Sequence, residues 1–284
     1  MSAQRGSGLL LLLVVLVAGA ALYLAARDPG AARRAERAAA ASAALAAARE
    51  TLLARALVDR NRPGSLPCAA PDAGGSGSFH GNDCDADTGR FPFRTLETRP
   101  LRDGGGALLW YGLDPALRDR ATQEPINPQA RQGALSLDGV GHYAAVVVAP
   151  GEARPGQSRA RGTRADYLDG INAAGTDFAD CSADGRCNDI VRGISVDALF
   201  ADVQRRVVAE VARALVELWA SSDRDPRRRY LPYAAALGAR ECARGRALGA
   251  IATRDVDGDC GRAVLAAADL PRWLRANDWL DLVV

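Results

Sequence analysis

Leu9–Ala26 reads LLLLLVVLVAGAALYLAA, eighteen residues without a charge. Arg5 stands before it and Arg27-Asp28-Pro29-Gly30 after it. As a helix the run covers roughly 27 Å, just enough for a bilayer core. Three readings fit it. One is a cleaved secretory signal, with Arg5 as its basic start, Leu9–Val17 as its apolar stretch and Ala18-Gly19-Ala20 as its cleavage site. Another is an uncleaved membrane anchor. The third is a leader cut ahead of the run, after a glycine, so that the run stays in the mature chain.

The next segment bears on that choice. Ala31–Asp59 is alanine-rich, carries Arg33, Arg34, Glu36, Arg37, Arg49 and Glu50, and has no internal Gly or Pro. Leu45, Leu52, Leu53, Leu57 and Val58 give its end an apolar stripe. The pattern predicts a leader and transmembrane helix over 1–30, then an amphipathic helix over 31–62 that continues it as a rod. Asn61-Arg62-Pro63-Gly64 breaks the rod.

The remainder divides into a first head part, 63–194, and a second, 195–284. Residues 66–90 are turn-rich and include Gly74-Gly75-Ser76-Gly77-Ser78. Leu108–Tyr111 and Tyr143–Ala149 read as buried strands. Gly151–Asp189 reads as surface loop with short ordered pieces. A second long helix is predicted over Val196–Ala220, with Ser195 as N-cap and Asp197 at its positive end. Val196, Leu199, Phe200, Val203, Val207, Val211, Leu215 and Leu218 form its core stripe, and Asp202–Arg206 and Arg206–Glu210 stand at pairing distance outside. The fold class is therefore α+β: a helical rod, then a disulfide-stapled head with an antiparallel sheet, a second long helix and a C-terminal strand. Each long helix is followed by a Leu-Pro motif and an acidic cysteine loop (Leu66-Pro67-Cys68, Leu231-Pro232), which leaves an internal duplication open.

Six cysteines behind an export-type start suggest an oxidising compartment and three bridges. Proximity favours Cys68–Cys84, Cys181–Cys187 and Cys242–Cys260. No Cys-x-x-Cys supports zinc. Two loops alternate carboxylates, Asp83, Asp85, Asp87 and Asp255, Asp257, Asp259, a pattern that can converge on calcium. Each lacks the twelfth-position glutamate of an EF-hand, and solvated turns use the same residues. Calcium is the one cofactor the sequence admits, and it demands none.

Composition narrows the chemistry. The 284 residues carry 36 basic and 34 acidic side chains, net +2, and every basic residue is arginine. That balance offers no footprint for nucleic acid. Two histidines, His80 and His142, exclude a histidine-rich metal site and weigh against a His-based triad. No Gly-x-Ser-x-Gly occurs, and without lysine there is no phosphate-binding P-loop. The expectation is a protein that is not an enzyme.

Arg5-Gly6, then Ser7-Gly8, then leucines, continued by an alanine-rich helix ending near Leu66-Pro67-Cys68, resembles type IV pilin-like proteins, including pseudopilins of type II secretion. Val146-Val147-Val148-Ala149-Pro150-Gly151, Tyr167-Leu168-Asp169-Gly170-Ile171-Asn172, Leu270-Pro271-Arg272-Trp273-Leu274 and Asn277-Asp278-Trp279 resemble stretches of large proteobacterial prepilin-like proteins. The resemblance implies processing by a prepilin peptidase after Gly6 or Gly8, so that the mature chain begins at Ser7 or Leu9. It also implies other pilin-like subunits as partners and an inner-membrane, single-pass location with a periplasmic head. Pilins carry glutamate fifth in the mature chain, where this sequence has Leu11 or Leu13, a departure that points to a minor or tip subunit. The alternative is a single-pass envelope protein whose periplasmic head binds a ligand or calcium.

Overall fold

The structure, a computed structural model, describes residues 4–27, 29–81, 83–119, 124–130, 133–181, 187–221, 233–255, 264–265 and 269–283. Two helices open the chain, α1 (Gln4–Arg27) and α2 (Pro29–Val58). Pro29 occupies the first position of α2, where its missing N–H leaves no bond unmade. The Pro-Gly pair thus starts a helix as well as ending the one before it.

The expected single-pass inner-membrane location is corrected here. Among the described residues no helix is long and apolar enough to cross a membrane. The uncharged part of α1, roughly 27 Å, is only at the lower limit for a hydrocarbon core of about 30 Å. The helix opens through Gln4, Arg5 and Ser7, and Gly19 and the alanines dilute its apolar half.

The head is α+β, as its sequence pattern predicts. Strands β1 (Phe79–His80) and β2 (Asp83–Cys84) form a small hairpin. The main sheet orders β3 (Thr88–Arg90), β4 (Trp110–Leu113), β6 (Val140–Ala149), β5 (Leu135–Leu137) and β7 (Asp177–Phe178), with β8 (Ile190–Ser195) also paired to β6. The pairings between these strands are antiparallel except β5 with β7. Asp138 and Gly139, both at positive φ, make the tight turn between β5 and β6. Asp-Gly is the dipeptide such a hairpin turn prefers.

The long strand β6 explains the run Val146-Val147-Val148. Side chains alternate across a strand, so only a sheet covered on both faces asks for three valines in succession. Val147, Tyr111 and Ile194 face an inner core, whereas Val146, Val148, Trp110 and Val191 face an outer one.

The inner core holds α2 and α4 (Val196–Ser221). In α2 the buried positions are Ala41, Ala44, Leu45, Ala48, Leu52 and Ala56, one stripe at helical spacing. Small side chains let the helix backbone approach the sheet. The Gly104-Gly105-Gly106 turn closes on the same helix: a Cβ at Gly104 would sit 2.2 Å from the Arg37 carbonyl oxygen. Arg37 also pairs with Glu152. Ser195 caps α4 through Oγ to the Ala198 amide at 3.2 Å, as expected.

The outer core is closed by 151–181, which the sequence pattern predicted to be surface loop with short ordered pieces. This segment holds α3 (Arg164–Tyr167), a 3-10 turn at Gly170–Ala173 and β7, and it buries Leu168 and Phe178. Single apolar anchors in polar surroundings carry no periodic signal, which is why the pattern missed them.

The C-terminal strand is also corrected. Arg272–Ala276 is a short helix, α5, and Trp279–Leu282 a 3-10 turn. Trp273, Leu274, Trp279 and Leu280 are buried as adjacent pairs, a helical pattern rather than a strand's alternation. Trp110–Leu113 is a strand, so the two halves differ in the segments that would correspond in a duplication.

Candidate functional site

The processing residues Gly6, Ser7, Gly8 and Leu9 all lie in the first turns of α1. A Cβ at Gly8 would meet nothing within 4 Å. Beyond them Leu10, Leu11, Leu12, Leu13, Val14, Val15, Leu16 and Val17 are all at least 56% exposed. These exposed apolar side chains circle the helix. Contiguous exposed apolar area on this scale marks an interaction surface. Among the residues whose burial is described, the first buried one after it is Ala41.

The first acidic loop is organised by an arginine. Arg118, itself buried, pairs with Asp83 and, at 3.5 Å, with Asp87. Ser78 Oγ donates to Asp85. The three carboxylates expected to converge on calcium therefore face a guanidinium and a hydroxyl, and Cys68–Cys84 ties the same loop. Asp255 belongs to the described residues, whereas Asp257, Asp259 and Cys260 lie outside them. No cluster of three or more metal-ligating side chains occurs among the described residues.

The expected pairs Cys68–Cys84 and Cys181–Cys187 are both formed. Cys242 is also disulfide-bonded.

A third arrangement escaped the sequence pattern. On the outer face Arg90 is wedged against Trp110 and Tyr167, its Cζ 4.0 Å from each ring centroid. Arg159 lies 4.7 Å from the Tyr167 centroid. Its Nη2 donates to the carbonyls of Pro150 and Gly151 at 3.3 and 3.0 Å. Arg159 is also the attractive charge acting on two buried acids, Asp103 and Asp189. Burial raises the pKa of both, that of Asp189 to about 6. Asp189 Oδ2 accepts from the Asp169 amide at 2.9 Å and from Asn172 Nδ2 at 3.1 Å. Asn172 in turn brackets Ala179, accepting from its amide at 2.8 Å and donating to its carbonyl at 2.9 Å. Beside this network an open cleft of about 400 Å³ is lined by Arg154, Asp169, Ile171, Ala179 and the Cys181–Cys187 bridge. Asp103, Arg159 and Asp189 lie dozens of positions apart and become one cluster only through the topology of β4, β6 and β8.

Comparison of the chain with family models, curated proteins and solved structures yields no match.

Proposed function

We propose that this chain is a minor or tip pilin-like subunit of a type IV pilus or type II secretion filament, acting by position and contact rather than by catalysis. The observation that carries the reading is the exposed apolar surface of Leu10–Val17, on a helix joined to a helix that is itself seated in the head. In the proposed role α1 packs laterally among the equivalent helices of other pilin-like subunits, and the disulfide-bonded head projects to make contacts. The leucines at positions 11 and 13, where a glutamate would help to set subunit register, favour a minor over a major subunit. A prepilin peptidase that cuts after Gly6 or Gly8 would release a chain beginning at Ser7 or Leu9.

Mass spectrometry of the mature protein tests the reading. A start at Ser7 or Leu9, with or without N-methylation, supports it. A start at Ala21, or an intact Met1, overturns it. Leu13→Arg should abolish co-purification with filaments while the far-ultraviolet circular dichroism of the head stays unchanged. Undiminished incorporation of that variant would remove α1 from the proposed contact.

A further inference from the structure

Asp189 stands just before β8, is completely buried, and uses only half of its bonding capacity. Oδ2 holds the Asp169 amide and Asn172, and through Asn172 it holds Ala179. Oδ1 has no hydrogen-bond partner. The residues that Oδ2 gathers all belong to the outer layer, 151–181, which covers Trp110, Val146, Val148 and Val191. We propose that Asp189 is a proton-operated latch for this layer: the layer is held closed when Oδ1 carries a proton and opens more readily when the carboxylate is ionised.

The geometry gives the latch its direction. A carboxylate buried with one oxygen unpartnered is held in its charged form at a cost, whereas the neutral acid has far less charge to desolvate. The charged groups that act on it are few. Asp169, from the outer layer, repels the ionised form. Arg159, from the same layer, attracts it. Neither is dedicated to it: Asp169 pairs with Arg154 at 3.3 Å, and Arg159 acts on Asp103 as well. On β8 itself the nearest charge is Arg192, which pairs with Asp180. Burial outweighs these neighbours and puts the carboxyl at about 6.

The sign follows from linkage. Opening the layer hydrates Asp189 and returns it to the ordinary carboxyl range, about 3.9. The closed form then holds the proton more tightly than the open form. Between those two values the closed form loses stability as pH rises, and above about 6 the loss is complete. From pH 5 to pH 7 the opening equilibrium should rise about tenfold. The Cys181–Cys187 bridge ties the far end of the layer beside β8, so opening displaces it without releasing it.

Hydrogen exchange on the full chain tests this. After correction for intrinsic exchange, the amides of Asp169 and Ala179 should open about tenfold more at pH 7 than at pH 5. The amide of Val147, in β6, should not change. In Asp189→Asn the pH dependence at Asp169 and Ala179 should vanish. In the wild-type protein the Asp189 carboxyl carbon should titrate near 6 by nuclear magnetic resonance. Protection independent of pH, an equal slope in Asp189→Asn, or a carboxyl titrating below 5 would each overturn the latch. Should the variant fail to fold, the wild-type exchange slope and carboxyl titration decide the matter.

Discussion

Arg206 shows what a single side chain can do that helical spacing does not announce. Its position in α4 pairs it on paper with Asp202 and Glu210. In the structure Asp202 pairs with Arg205, and Glu210 with Arg213. Arg206 Nη1 instead donates to the carbonyls of Leu57 and Asp59, the latter at 2.9 Å, at the end of α2. Its guanidinium lies 4.7 Å from the Trp273 ring centroid. The last carbonyls of a helix have no partner within it, so a charged donor there meets an unfilled need. Arg206→Ala should lower unfolding stability by about 2 kcal/mol, and Arg206→Lys should recover only part of that, because an ammonium cannot reproduce the fork. Urea denaturation measures both. Asp59 completes the same helix end. Burial opposes its ionisation, but the amides of Arg62 and Asn61 and the Arg55 side chain outweigh burial and hold its pKa below the usual value. Its contribution is therefore present at neutral pH and lost as pH falls below the ordinary carboxyl range of about 4. Asp59→Asn should flatten the acid limb of the stability profile there.

At the scale of elements, legibility followed periodicity. The helices α2 and α4 and the strand β6 carry long regular patterns and lie close to where those patterns put them. The Asp138-Gly139 dipeptide, whose preference for positive φ suits a hairpin, carries no long pattern of its own and was not read as a turn. The short ordered pieces of the outer layer were legible, but neither its burial against the sheet nor α5 was. Leu168 and Phe178 are isolated anchors, and the tryptophan pairs near the C-terminus suit a strand or a helical turn equally until the core chooses. The Asp189 cluster was beyond reach for a further reason, since its members meet only after the strands have paired. The glycine turn against α2 gives an element-scale prediction. Gly104→Ala would drive a Cβ into the Arg37 carbonyl, whereas Gly106, at φ +84°, has open space around it. Overpacking of this kind costs about 1–3 kcal/mol, and Ala at positive φ about 1 kcal/mol. Calorimetry should therefore find the larger drop in Tm for Gly104→Ala.

For the whole molecule, the bridges set how far the head depends on its surroundings. Cys68–Cys84 closes a separation of 16 residues and Cys181–Cys187 one of 6. In the chain-entropy description these are worth about 3 and 2 kcal/mol. Replacing the first pair by serine should thus lower the denaturation midpoint more than replacing the second. A reversed order would mean that local packing, rather than loop closure, dominates.

The end of α2 is finished by the other end of the protein. Asn277 donates to the Asn61 carbonyl at 3.2 Å and accepts from the Ile126 amide at 3.1 Å, while Trp279 packs edge-on against Phe200 at 5.7 Å. A partner 216 positions away must arrive before this corner closes. In the cell this becomes a matter of timing. Until the ribosome has added residues beyond 270, the foot of α2 has Arg206 but lacks the bonds of Asn277. The corner therefore closes only after the strands and α4 have been made.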